Sequence, residues 1–554
     1  MRPFAPFGAA LASTLIAACG TAEAPFSAAL ARPVASSAAI EAHVRFLADD
    51  LLEGREAGTR GHEIAALYAA TQFALLGLEP AGDDGGWYQR VPLLRGQRVL
   101  EGARFSVRSV GRDHSFKVLD EFMPSVNYDA PTAAAAGQLV FVGQAVRAPE
   151  LGHDDLAGVD LEGKIAVYFG GAPERFGYVE RAVHSSSREK ARDLVAAGAI
   201  GTVYLSKPDE EAKYPWAKYA ARWDRVGMRI AGPDGKAVDG YPELAANVSV
   251  PVAVARRLFE GAPVSYDEAL ARLTKGESRA FALPGSASIA VRSKVETVAS
   301  RNVVARLPGS DPELAAESVV FTAHLDHVGV NAPDPAKPDA DRINNGATDN
   351  ALGSAILLEV ARGMRGSTVK PRRSALFVLV TAEEKGLLGA EYFAAFPTVP
   401  AAGIVANVNM DMPVMMAELT DLISFGAEHS SLGPIVAQAV RASGMTLSPD
   451  PLPEESVFVR SDQYAFVRQG VPAVYLDAGV IARDPAVDGM ALFKGFLETH
   501  YHQPSDDVGQ PIHYPTAARM ADINQRIGLM IANQRERPRW DAGSFLGQRF
   551  GGKR

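Results

Sequence analysis

Ala375-Leu-Phe-Val-Leu-Val-Thr-Ala-Glu-Glu-Lys-Gly386 is the stretch whose reading decides the fold. Its unbroken apolar run shows no alternation, which is the pattern of a strand covered on both faces. Two carboxylates and a glycine follow at once, and then a helical pattern over 387–396. A doubly buried strand turning into a helix is the repeating unit of an α/β sheet with helices on both faces. The unit recurs nearby. Further strands are expected at 318–322, 404–408 and 473–476, with helices at 351–364, 432–442 and 516–533.

In such sheets ligands bind outside the carboxyl ends of the strands. His324-Leu-Asp326-His327 follows one strand, and Asn409-Met-Asp411-Met412 follows another. Thr381-Ala-Glu383-Glu384 closes the opening stretch, while Asp349 and the segment Tyr501-His502-Gln-Pro-Ser-Asp506 lie in adjoining loops. Singly, each has a plain explanation. A histidine at a strand end can be structural, Asp349 can cap the helix that follows it, and acids favour a helix N-terminus. Five acid or imidazole sites gathered at strand ends and adjoining loops point instead to a shared centre. Neutral imidazole ligates zinc, and a neighbouring carboxylate can fix its tautomer. Adjacent carboxylates on one turn can serve a metal and a metal-bound water. Cys19 is the only cysteine, so no thiolate site can form.

The order His-x-Asp, Gly-x-x-Asp-Asn, Glu-Glu-x-Gly-Leu, Asn-x-Asp-Met and His-x-Pro-x-Asp resembles peptidase family M28. Leu52-Glu-Gly-Arg55-Glu-Ala-Gly-Thr59 resembles the family's N-terminal entry motif, and Arg460-Ser-Asp-Gln-Tyr464 with Gly470-Val-Pro-Ala473 its late substrate-side segment. The resemblance implies a mixed-sheet zinc exopeptidase fold and two Zn2+ per chain. It makes Asp349 the bridging ligand, with His324 and Asp411 on one ion and Glu384 and His502 on the other. Glu383 would be the general base of a two-metal hydroxide mechanism, and Asp326 would orient His324. Tyr501 would help polarise the intermediate, and the Asp349–Asn350 peptide would be cis. Gln463 stands where many relatives have histidine. His327 and His500 occupy no ligand position and are expected to be bystanders.

The expected reaction is removal of the N-terminal residue from peptides, with a free amine required and the far carboxylate ignored. Lys385 and Arg460 leave a carboxylate grip open. A carboxypeptidase or dipeptidase of the same fold is therefore the first alternative, followed by a glutaminyl cyclase and a non-catalytic scaffold.

At 554 residues the chain calls for more than one domain. Residues 137–290 carry short strands and a helix that resemble a protease-associated (PA) domain, a β-rich insert. The expected division is a signal peptide over 1–19, a tether over 20–37, the peptidase domain over 38–136 and 291–536, the insert between, and a frayed basic tail over 537–554. A net charge of −9 argues against nucleic acid as a partner. The short apolar segment ending Leu15-Ile-Ala-Ala-Cys19 resembles a bacterial lipobox. Export, a lipid at Cys19 and the periplasmic face of the outer membrane are the resulting expectations.

Overall fold

A computed structural model of the chain describes residues 35–109 and 112–553. The expected signal peptide, Cys19 and the tether as far as residue 34 lie outside the described residues. Ala35 and Ser36 are already fixed, donating their amides to Asp522 and Glu359.

Strands Ala473–Ala478, Ile404–Asn409, Ser318–His324 and Ser374–Val380 lie side by side in parallel, in that order. Their alternation divides two cores. Val319, Phe321, Ala375, Phe377 and Leu379 face a layer containing helices Gly353–Gly366 and Tyr514–Asn533. Val320, Leu376, Val378 and Val380 face Ala390, Phe393 and Phe466 of helices Leu388–Ala395 and Gln463–Arg468. Every residue of Ser318–His324 and Ser374–Val380 is buried, and each fully buried Val, Leu or Phe contributes roughly 1.5–3 kcal/mol. This is the α/β arrangement expected from the uninterrupted apolar runs.

A second lobe repeats the theme. Strands Thr132–Phe141, Ile165–Phe169, Gly201–Leu205 and Ala246–Val250 are parallel neighbours around their own core. The 27-residue strand Phe281–Leu307 threads both lobes. Its first half pairs with Arg104–Ser109 and Thr132–Phe141, and its second half with Tyr88–Arg98 and Ser374–Val380. The expected insert boundaries therefore move. The lobe recruits strands from Arg104 onward, ahead of 137, and 290 falls inside a continuous strand. Strand Gly227–Ile230, from within the insert, pairs with Tyr88–Arg98 of the first sheet.

Ionic contacts reinforce the joint. Arg188 of the second lobe reaches Asp239 at 2.7 Å and grips Glu391 of helix Leu388–Ala395 through two hydrogen bonds. Arg468 shares Glu391.

The basic tail is not frayed. Ser544 caps helix Phe545–Phe550, which buries Leu546 and Phe550 against Val179, Val183 and Phe458. Arg549 pairs with Glu189 at 2.6 Å. Apolar residues spaced i, i+4 behind a serine cap outweigh the local excess of positive charge.

Candidate metal centre

Three of the parallel strands deliver the centre. Ser318–His324 ends on His324, Ile404–Asn409 runs into Asp411, and Ser374–Val380 into Glu383 and Glu384. Asp349 comes from the turn before helix Gly353–Gly366, and His502 from the turn after helix Gly489–Thr499. Ala382, Met412 and His502 hold φ of 55°, 35° and 56°. Left-handed backbone at such residues costs of order 1–3 kcal/mol each, and all three sit at or beside the expected base or ligands.

His324 Nδ1 lies 3.1 Å from the Asp326 carbonyl oxygen, so that nitrogen carries the proton. Its Nε2 lone pair then faces Asp411 at 2.9 Å and Asp349 at 3.2 Å. A lone pair aimed at two carboxylates is repulsive unless a cation lies between them. His502 Nε2 repeats the situation, 3.1 Å from both Asp349 and Glu384. Three donor groups result among the described residues, His324/Asp349/Asp411, His327/Asp349/Glu384/His502 and His324/Glu383/Glu384, each with ligand atoms within 4.8 Å of one another. Asp349 belongs to the first two. Mixed imidazole and carboxylate donors suit divalent zinc, so the residues fit the metal implied by the motifs.

The electrostatics carry the same message. Burial disfavours a charged His324, yet Asp411 and Glu383 hold its proton well above the usual imidazole range. His502 is likewise pushed up to about 10, against burial, by Glu384 and Asp349. Burial would raise Asp349, but hydrogen bonds from His324 and His502 hold it well below the ordinary range. Protons stand in for cations at both imidazoles.

Several supports were only partly foreseen. Asp349 is not a helix cap: it lies in an irregular turn ahead of Gly353–Gly366, and the Asp349–Asn350 peptide is cis. Asp506 accepts the amides of Thr348 and Asp349 at 2.9 and 3.0 Å. Asn350 accepts from Gly353 and Met412 and donates to the Met410 carbonyl, tying the Asp349 turn to the Asp411 turn. Arg55, from the entry motif, is 1% exposed. It donates to the carbonyls of Leu325, Asn345 and Gly346, joining the His324 strand end to the loop before Asp349.

Three expectations are corrected. Asp326 orients His324 through its backbone carbonyl; its carboxylate accepts the Glu383 amide at 3.1 Å. His327 is no bystander. It is fully buried, its Nδ1 lies 2.8 Å from Glu384, and its Nε2 has no partner among the described residues. Gln463 points inward rather than at substrate, accepting from Asn409 and donating to the Phe458 carbonyl. His500 does stand apart, bonded to Ser505.

Glu383 and Glu384 differ sharply. Glu384 receives His327 and His502, which hold it down at about 2 although burial opposes this. The Glu383 carboxylate accepts no hydrogen bond from any described residue. Burial, with Asp411 and Glu384 nearby, pushes it well above the carboxylate range. Tyr501 stacks on His502 with ring centroids 3.8 Å apart, and burial beside Asp349 and Glu384 raises its phenol. Both Glu383 and Tyr501 line a cavity of about 340 Å³ whose inner wall includes Ile423, Phe425, Val457 and Phe493.

The centre is thus a carboxylate–imidazole cluster whose donors could hold a metal, at the carboxyl ends of a doubly covered sheet. Residues 302–527, which supply every one of these ligands, match the model of peptidase family M28. A vacuolar membrane protease of Lachancea thermotolerans is 32% identical over 152 residues, 27% of this chain and 14% of that protein. The chain thus spans a small part of that relative's length. The aminopeptidase from Aneurinibacillus sp. strain AM-1 shares the fold, with a TM-score of 0.51 at 20% identity over 90% of this chain and 95% of that one. A zinc aminopeptidase from Bacillus subtilis aligns over the same shares at 18% identity and a TM-score of 0.42.

Proposed function

We propose that the protein is a zinc-dependent aminopeptidase acting on peptides with an apolar N-terminal residue. The observation that carries this reading is the unengaged Glu383 carboxylate beside two donor groups that share Asp349. His324, Asp411 and Asp349 would hold one zinc, and Glu384, His502 and Asp349 the other. When bound, the ions lend Lewis acidity to the attacking water and to the scissile carbonyl. Glu383 takes the water's proton and returns it to the departing amine, a task for a base that is not itself a ligand. Its carboxylate, which accepts no hydrogen bond from any described residue, is free to carry that proton between the two transfers. Tyr501, kept protonated by its surroundings, donates to the carbonyl oxygen as negative charge grows there.

An excess of carboxylates favours a substrate ammonium at the cluster, and the apolar cavity accepts the first side chain. Leucine p-nitroanilide should be hydrolysed, chelation should stop the reaction, zinc should restore it, and acetylating the amine should abolish cleavage. Hydrolysis of N-acetylated peptides from their C-termini would transfer the protein to the carboxypeptidases.

The lipobox reading supports export to the bacterial envelope and a lipid on Cys19. No helix among the described residues is long and apolar enough to cross a membrane. Mass spectrometry finding a mature N-terminus other than a lipidated Cys19 would refute the anchor.

A further inference from the structure

On the Glu384 and His502 side of the centre opens a second cavity, of about 740 Å³, built jointly by the two lobes. Its charge is unlike that of the ligand cluster: Arg95, Arg222, Arg225, Arg229 and Lys385 line it against Glu56, Asp224 and Glu384. Pairing strand Gly227–Ile230 with Tyr88–Arg98 brings the arginine-bearing loop of the second lobe to this wall.

Most of these cations are already engaged. Lys385 is held by Glu56 at 2.7 Å, Arg95 meets Glu296 at 3.3 Å, and Arg229 lies over the Tyr128 ring. Arg222 lies over Tyr214. Arg460, the other basic residue flagged beside the motifs, pairs with Glu455. Among the described residues, the Arg225 guanidinium makes no ion pair or hydrogen bond. Burial and the neighbouring Arg222 both press against its charge, while Tyr214, the adjacent Asp224 and Glu384 favour it. The guanidinium is crowded by a second one, makes no ion pair with the acids nearby and faces the same cavity as two metal-centre residues, so it is open to a bound anion. Guanidinium binds carboxylate in a two-pronged fashion that an ammonium cannot reproduce.

We propose that Arg225, with Arg222 beside it, receives a carboxylate from the leaving portion of the peptide, either the C-terminus of a short peptide or an acidic side chain beyond the cut. This rests on the aminopeptidase reading and changes its expected indifference to the far carboxylate. The second lobe then takes part in selecting substrate.

The test is a series of Leu-Gly peptides of increasing length, each as free acid and as C-terminal amide. At the length that reaches Arg225, the free acid should exceed the amide at least about tenfold in kcat/KM, the worth of one charge-assisted contact. Arg225→Ala should bring that ratio close to one, and Arg225→Lys should keep only part of it. The ratio cancels any general loss of activity. An amidated pair differing only by Asp or Asn after the cut separates the two sources: preference for Asp assigns the grip to a side chain. Calorimetric binding of the same peptides to zinc-loaded Glu383→Gln protein reads the grip without turnover, so a failure of the aminopeptidase reading shows separately as inert leucine p-nitroanilide. Acid, amide, Asp and Asn forms binding alike, or a preference that survives Arg225→Ala, overturns the proposal.

Discussion

Two sets of parallel strands in this chain have nearly the same construction and opposite chemistry. In the first lobe, Ser318–His324, Ser374–Val380 and Ile404–Asn409 run into His324, Glu383, Glu384 and Asp411. In the second, Ile165–Phe169, Gly201–Leu205 and Ala246–Val250 run into Gly170-Gly171, Ser206-Lys207 and Pro251. The buried charge near those ends is Lys190, whose ammonium donates to the carbonyls of Gln144 and Gly171. One crevice leaves imidazole lone pairs facing carboxylates, which calls for cations. The other meets its buried cation with backbone oxygens and the nearby carboxylates of Asp155 and Asp193, and gathers no imidazole–carboxylate cluster among the described residues. Architecture supplies the crevice, and the few residues just past each strand decide whether it does chemistry.

Removing the shared ligand should break the contrast most severely. Asp349→Ala should leave the protein folded but without either ion, and turnover should fall at least ~10³-fold, as for residues that act as a unit. Retention of one equivalent of zinc would show that the two donor groups are independent. A smaller effect is expected at His327. If it supports Glu384 through their 2.8 Å contact, His327→Ala should weaken zinc affinity about 10–100-fold at one site; unchanged affinity by competition titration would return it to the bystanders. The smallest effect belongs to the second lobe. Burial pushes Lys190 down to about 7, below its unfolded value near 10.4. Between those values the unfolded chain holds a proton that the folded chain has released, so stability should rise with pH from about 7 to about 10 and be flat below. Melting curves of Lys190→Met should lack that rise, and parallel curves for the two proteins would contradict the assignment.

Much of this was legible in the sequence wherever an element is apolar on both faces. The runs at 318–322 and 375–380 admit one reading, and the ligands follow them directly. The strand Phe281–Leu307 was not legible as one element. Pro284 and Gly285 interrupt it, Gly285 has a φ of 100°, and its register shifts between Ala282 and Ser286. It also changes lobes midway, so its burial pattern changes with it. His327 carries no periodicity and owes its place to the loop beyond Asp326. Arg225 gave no signal, because its nearness to Glu384 depends on the pairing of Gly227–Ile230 with a distant strand. The tail did carry one, in Ser544, Leu546 and Phe550, hidden under its arginines.

The central claim is the division of labour between two neighbouring carboxylates, and it is tested most directly by measuring zinc content and leucine p-nitroanilide turnover of Glu383→Gln and Glu384→Gln side by side. Two zinc ions per chain are expected in the unaltered protein. Glu383→Gln should keep both and lose turnover by about 10²–10⁴-fold, the usual worth of a general base, whereas Glu384→Gln should lose zinc. Full zinc in Glu384→Gln together with depleted zinc in Glu383→Gln, or one ion sufficing for full activity, would contradict the account.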